Sequence, residues 1–173
     1  MTASRPTTRT LWLLSGAGSL ALAAASVALT LWLELQPCHL CIFQRLLFMV
    51  IGVIALGAAL SAGWVRRGLG VLVALSAVAG GVTASYQTWL QGQPPGSVSC
   101  TGGDMGPIEV VVEWLGQQVP SLFLATGFCE DEGLRVLGLS LAQWSLLCFS
   151  GLLAMTLWLI QRERRHPDAM PTR

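Results

Sequence analysis

Four long apolar stretches constrain this chain more than any other feature: Leu11 to Leu33, Ile42 to Gly63, Leu69 to Leu90 and Leu141 to Ile160. Each is long enough for a helix to cross the hydrocarbon core, which takes about 20 residues. Only the second contains a charge, Arg45. With 53% hydrophobic and 11% charged residues, most of the surface suits lipid better than water. The expected fold is therefore an all-α membrane protein: a single membrane domain with helices over residues 11–33, 42–63, 69–90 and 141–160. Outer loops are expected over 34–41 and 91–140. Six tryptophans (Trp12, Trp32, Trp64, Trp89, Trp144 and Trp158) lie at the ends of the runs, where an indole prefers the headgroup layer.

Arginines set the expected orientation. Arg5 and Arg9 precede the first run, Arg66 and Arg67 join the second to the third, and Arg162, Arg164 and Arg165 follow the fourth. The other two loops carry seven of the nine acids and one arginine, Arg135. The positive-inside rule then predicts cytoplasmic termini and two acidic outer loops. A signal peptide is the competing reading of the first run, but its uninterrupted length exceeds the h-region of about 7 to 15 residues, which favours a retained helix.

Four of the five cysteines fall in those outer loops: Cys38 and Cys41 in the short one, Cys100 and Cys129 in the long one. Cys148 lies within the fourth run and reads as a small buried hydrophobe. On the arginine-poor side thiols face an oxidising compartment, where disulfides persist. A C-x-x-C bridge closes a small ring suited to exchange. No βαβ pattern surrounds it, which excludes a thioredoxin domain, and the usual zinc spacings are absent, so no metal is expected. No nucleic-acid partner is expected either. Cys41 opens the second helix, whose free N–H groups and dipole favour a thiolate. Arg45 stands one turn deeper on the same face. An intramembrane cation beside a redox motif reads as functional rather than as a side chain snorkelling to the headgroups.

In the long loop, residues 91 to 99 are turn-rich and lead into Cys100, which is expected to be exposed and reachable by an outside thiol. Pro107 suits the start of a short amphipathic helix, with Ile108, Val111, Val112 and Leu115 in one apolar stripe expected to lie along the membrane surface. Cys129 follows an apolar stretch and is expected to be held near the bilayer. Two loop pairs suggest a relay between an outside partner and something in the lipid.

The run Pro37-Cys38-His39-Leu40-Cys41-Ile42-Phe43-Gln44-Arg45 at the start of the second helix, joined to Cys100 and Cys129 in the second outer loop, resembles the bacterial disulfide bond formation protein B family. The resemblance implies a quinone-dependent enzyme of the inner membrane that reoxidises the periplasmic thiol oxidase DsbA and passes two electrons to ubiquinone or menaquinone. Cys100 and Cys129 would exchange with DsbA, with Cys100 forming the mixed disulfide. Cys38 and Cys41 would face the quinone, Cys41 and Arg45 lying beside it, and a Cys38–Cys129 bridge would form during turnover. Two rivals remain. A vitamin K epoxide reductase-like enzyme carries its C-x-x-C late in the bundle rather than at the second helix. A structural membrane protein with inert bridges would have no use for Arg45 beside the motif.

Overall fold

The structure, a computed structural model, describes residues 7–94, 106–129 and 134–165. Four helices are long and apolar enough to cross a membrane: α1 (Thr8–Trp32), α2 (His39–Leu60), α3 (Gly63–Gln91) and, last in the chain, Leu141–Arg165. Between α3 and that last helix come α4 (Pro107–Gln118), the single turn α5 (Pro120–Phe123) and a hairpin of β1 (Arg135–Val136) with β2 (Leu139–Ser140). The last span is therefore α6.

The bundle winds in chain order: α1 packs on α2, α2 on α3, and α3 on α6. Small residues allow the closest of these approaches. A Cβ on Gly16 would meet Leu56 Cγ at 2.8 Å, and one on Gly52 would meet Leu20 Cγ at 2.6 Å, so α1 and α2 interlock leucine over glycine. Backbones drawn together in this way are how helices gain dispersion energy where lipid competes for apolar contact. Phe48 of α2 stacks on Phe149 of α6 at 4.2 Å between ring centroids, across the middle of the core.

The α2–α3 connection is shorter than the sequence suggests. Helix α3 begins at Gly63, so Arg66 and Arg67 belong to its first turn and only Ser61 and Ala62 link the spans. Arg66 donates from Nε to Ala58 O at 3.0 Å and from Nη2 to Ser61 O, and it pairs with Glu163 of α6 at 3.8 Å. Arg67 donates to Glu163 O at 3.0 Å. Trp12 differs from the expected headgroup position. It is fully buried, with its ring against the Cα-only surface of Gly70 and its indole N–H donating to Glu163 Oε1 at 3.3 Å. Glu163 satisfies the N–H, which lets the ring serve as core rather than as an interfacial anchor. Trp32 and Trp64, by contrast, are largely exposed.

Helix α4 packs against the outer end of α2. Ile108, Val112 and Leu115, at i, i+4 and i+7, cover Ile42 together with Phe123 of α5. Val111 departs from the expected stripe: it is exposed beside Val110 and Trp114, and these three form an exposed apolar face. The hairpin turns on Leu137 and Gly138, both with positive φ. It delivers Ser140 as the cap of α6, where Gln143 N–H donates to Ser140 Oγ (3.3 Å) and Ser140 N–H to Gln143 Oε1 (2.9 Å). This reciprocal pair is a capping box with glutamine in the third position.

Candidate redox site

Pro37 keeps residue 37 out of the helix, and Cys38 takes an extended conformation as N-cap of α2. Its sulfur accepts the Cys41 N–H at 3.4 Å, a role usually filled by a hydroxyl or carboxylate. With two residues between the cap and Cys41 in the first turn, the two sulfurs meet at 3.0 Å. Cys38 is buried, while Cys41 is half-buried.

The second loop reaches the same place through its backbone. Thr126 and Gly127 both donate N–H groups to Pro37 O, at 2.9 and 3.1 Å. Cys129 is thereby carried into a buried cluster with Cys38, Leu40 and Leu90, against which Cys41 packs. Cys38 hydrogen-bonds with both Cys129 and Cys41, and these two contacts together with burial push its thiol well above the usual cysteine range. One sulfur is therefore shared between two possible partners. Cys100 lies outside the described residues.

Gln44, part of the motif, and Gln87, which the sequence reading did not single out, complete the polar lining. Gln87 of α3 donates from Nε2 to Cys41 Sγ at 2.9 Å and reaches Cys38 Sγ at 3.4 Å. Its carbonyl oxygen accepts from Gln44 Nε2 at 2.7 Å, and both amides are buried. Nothing local marks Gln87, which stands among Thr83, Ser85, Thr88 and Gln91 late in α3.

Arg45 does not snorkel. It is 4% exposed, and every nitrogen of its guanidinium finds an acceptor. Nε donates to Ser26 Oγ (3.1 Å), Nη1 to Leu122 O (2.8 Å), and Nη2 to Thr30 Oγ1 (2.7 Å) and Ser26 O (3.3 Å). The fork thus ties α2 to the outer end of α1 and to the turn α5 that leads toward Cys129.

These groups form the polar end of a cavity of about 250 Å³. Its apolar walls come from Leu22, Ala25 and Leu29 of α1 and from Ala142 and Cys148 of α6, while Cys41, Gln44, Arg45 and Gln87 line the end nearest the thiols. A long apolar slot closed by a few convergent donors fits a planar ring with carbonyl oxygens and a hydrocarbon tail. Cys148 borders the slot from α6, and His39, the first residue of α2, lies outside it. In both size and chemistry the slot is compatible with a lipid-soluble electron acceptor.

Comparison with known proteins places the chain in one family. The family described as "Disulfide bond formation protein DsbB" matches residues 8–159. "Disulfide bond formation protein B" of Dechloromonas aromatica (strain RCB) is 46% identical over 156 residues, covering 87% of this chain and 90% of the relative. The protein of the same name from Azoarcus sp. (strain BH72) is 40% identical over 148 residues, covering 79% and 85%.

Proposed function

Because the chain belongs to the disulfide bond formation protein DsbB family and is a disulfide-generating membrane thiol oxidoreductase, we propose that it reoxidises a DsbA-like periplasmic dithiol protein at the expense of ubiquinone or menaquinone. The observation that carries this reading is the shared sulfur of Cys38, in contact with Cys41 on one side and Cys129 on the other, at the end of an apolar cavity.

In the proposed cycle a donor thiolate attacks Cys100 of a Cys100–Cys129 disulfide and expels Cys129 as thiolate. Cys129 attacks Cys38 of the Cys38–Cys41 disulfide and expels Cys41. The donor's second thiolate resolves the mixed disulfide, leaving as an oxidised protein and freeing Cys100. Cys100 then attacks Cys129, restores its own bridge and returns Cys38 as a thiol. The chain now holds the donor's two electrons on Cys38 and Cys41. A bound quinone would supply the two-electron, two-proton sink that closes the Cys38–Cys41 bridge again. Gln87 is placed to hold a hydrogen bond on the Cys41 sulfur as its charge changes. Arg45 supplies positive potential at the same end of the slot, where low dielectric makes it count for more than in water.

The test is quinone reduction by purified protein with a reduced DsbA-type donor. Cys38→Ser and Cys41→Ser should each abolish turnover, whereas Cys148→Ser should stay near wild type. Absence of turnover with either quinone would sink the reading.

The membrane assignment extends to the bacterial inner membrane, with both termini cytoplasmic and the cysteine loops periplasmic. It is supported by the arginines that gather at the end of the bundle opposite the thiols. A reporter fused after Arg165 should read cytoplasmic and one fused near Gly103 periplasmic. The reverse pattern would place the cysteines among cellular reductants and is incompatible with this function.

A further inference from the structure

The contact between the two outer loops is made by backbone. Thr126 and Gly127 converge on the single carbonyl of Pro37, and Gly127 lies so close to the preceding residue that a Cβ there would collide with Gln36 O. The same Cβ would stand 2.9 Å from Gln36 C and 3.3 Å from Gln36 Cβ. The obstacle is main chain between the end of α1 and the cap of α2, so it cannot rotate aside as a flexible side chain would. Cys38 follows Pro37 directly, and Cys129 comes two residues after Gly127. Spacing between the two sulfurs is therefore inherited from this seat.

Tethering alone would not suffice for efficient exchange. A flexible loop gives a thiol an effective concentration of the order of millimolar, whereas oriented groups in near-attack contact reach roughly 10⁵ M or more. The seat fixes that orientation from the backbone side, with Ala125 packed near Ile42 and Cys129 itself buried beside Cys38. Leu124 and Phe128 are exposed, and Thr126 contributes its N–H.

We propose that the Thr126–Gly127 seat on Pro37 is the positioning element for transfer between the loops, and that Gly127 is a positioning residue because only glycine admits the approach to Gln36. The inference rests on the proposed Cys129-to-Cys38 exchange. Two measurements separate it from that premise. In a Cys41→Ser/Cys100→Ser background, Cys38 and Cys129 remain as the only outer-loop thiols. The fraction joined as a disulfide is then read by alkylation and gel shift across glutathione buffers. Adding Gly127→Ala should lower the equilibrium constant for the bridge by about 100-fold, the scale of a displacement of about 1 Å. Leu124→Ala should leave it unchanged.

The second measurement mixes fully reduced Gly127→Ala protein, with all native cysteines, with quinone in a single turnover. Oxidation of Cys38 and Cys41 should fall far less than the bridge constant, because Cys41 is held by the first turn of α2 and by Gln87 rather than by the second loop. An equal bridge in Gly127→Ala would overturn the inference. So would loss of the single-turnover step, since Gly127 would then support the fold as a whole. If even the Gly127 parent formed no bridge, the cross-loop exchange itself would fail.

Discussion

Replacing Arg45 with methionine is expected to slow quinone-dependent turnover by about 100-fold, the loss typical of one preorganised charged donor. Methionine keeps the apolar stem but removes the donors to four acceptors: Ser26 Oγ and O, Thr30 Oγ1 and Leu122 O. Hydrogen bonds to a charged donor contribute about 1.5–3 kcal/mol each. Part of the loss should therefore appear as looser packing of α1 and α5 on α2. Because Leu122 lies seven residues before Cys129, the variant should also weaken the hold on the second loop. Arg45→Lys restores a point charge without the planar fork, so it should recover some of the rate while leaving acceptors unpaired. Single-turnover oxidation of pre-reduced protein and thermal stability in detergent, measured on both variants, separate the two contributions. Wild-type kinetics in Arg45→Met would remove Arg45 from the acceptor site.

Gln87→Leu is expected to slow the same single-turnover step by about 10- to 100-fold, since it deletes a donor at 2.9 Å from the Cys41 sulfur. Leucine nearly matches glutamine in volume, so packing is little changed. The cost falls on charge stabilisation at sulfur and on the buried Gln44 amide, which loses its acceptor. If the two amides act as a unit, Gln44→Leu/Gln87→Leu should be no slower than Gln87→Leu alone. Additive losses would mean that Gln44 acts independently of its partner. An unchanged rate in Gln87→Leu would reduce the contact to packing.

The contrast between Arg45 and Gln87 shows what a linear reading can reach. Arg45 announces itself because a charge inside an apolar run is costly and its neighbour in the helix is a C-x-x-C motif. The four spans are legible for a similar reason, since length and hydropathy are properties of contiguous residues. Gln87 acquires its meaning only when α3 is laid against the start of α2, 46 positions earlier in the chain. Gly127 likewise reads as one more loop glycine until Gln36 O is known to sit over it. In the sequence Trp12 reads as an interfacial anchor, because Glu163, which satisfies its N–H, comes from the far end of the chain. The cap of α6 was available locally, as Ser140-Leu141-Ala142-Gln143 ahead of an apolar run, and needed no tertiary information.

The two-residue link between α2 and α3 also bears on how such a chain enters a bilayer. With Arg66 folded back onto the carbonyls of Ala58 and Ser61 and Arg67 beside it, the second and third spans form one helical hairpin with a cationic tip. Driving that tip through the hydrocarbon core would cost roughly 3 kcal/mol for each arginine. During biosynthesis the hairpin is thus expected to insert as a single unit with its tip left on the side of the ribosome. That choice of side fixes the compartment of every thiol at the opposite end before the later helices have been made.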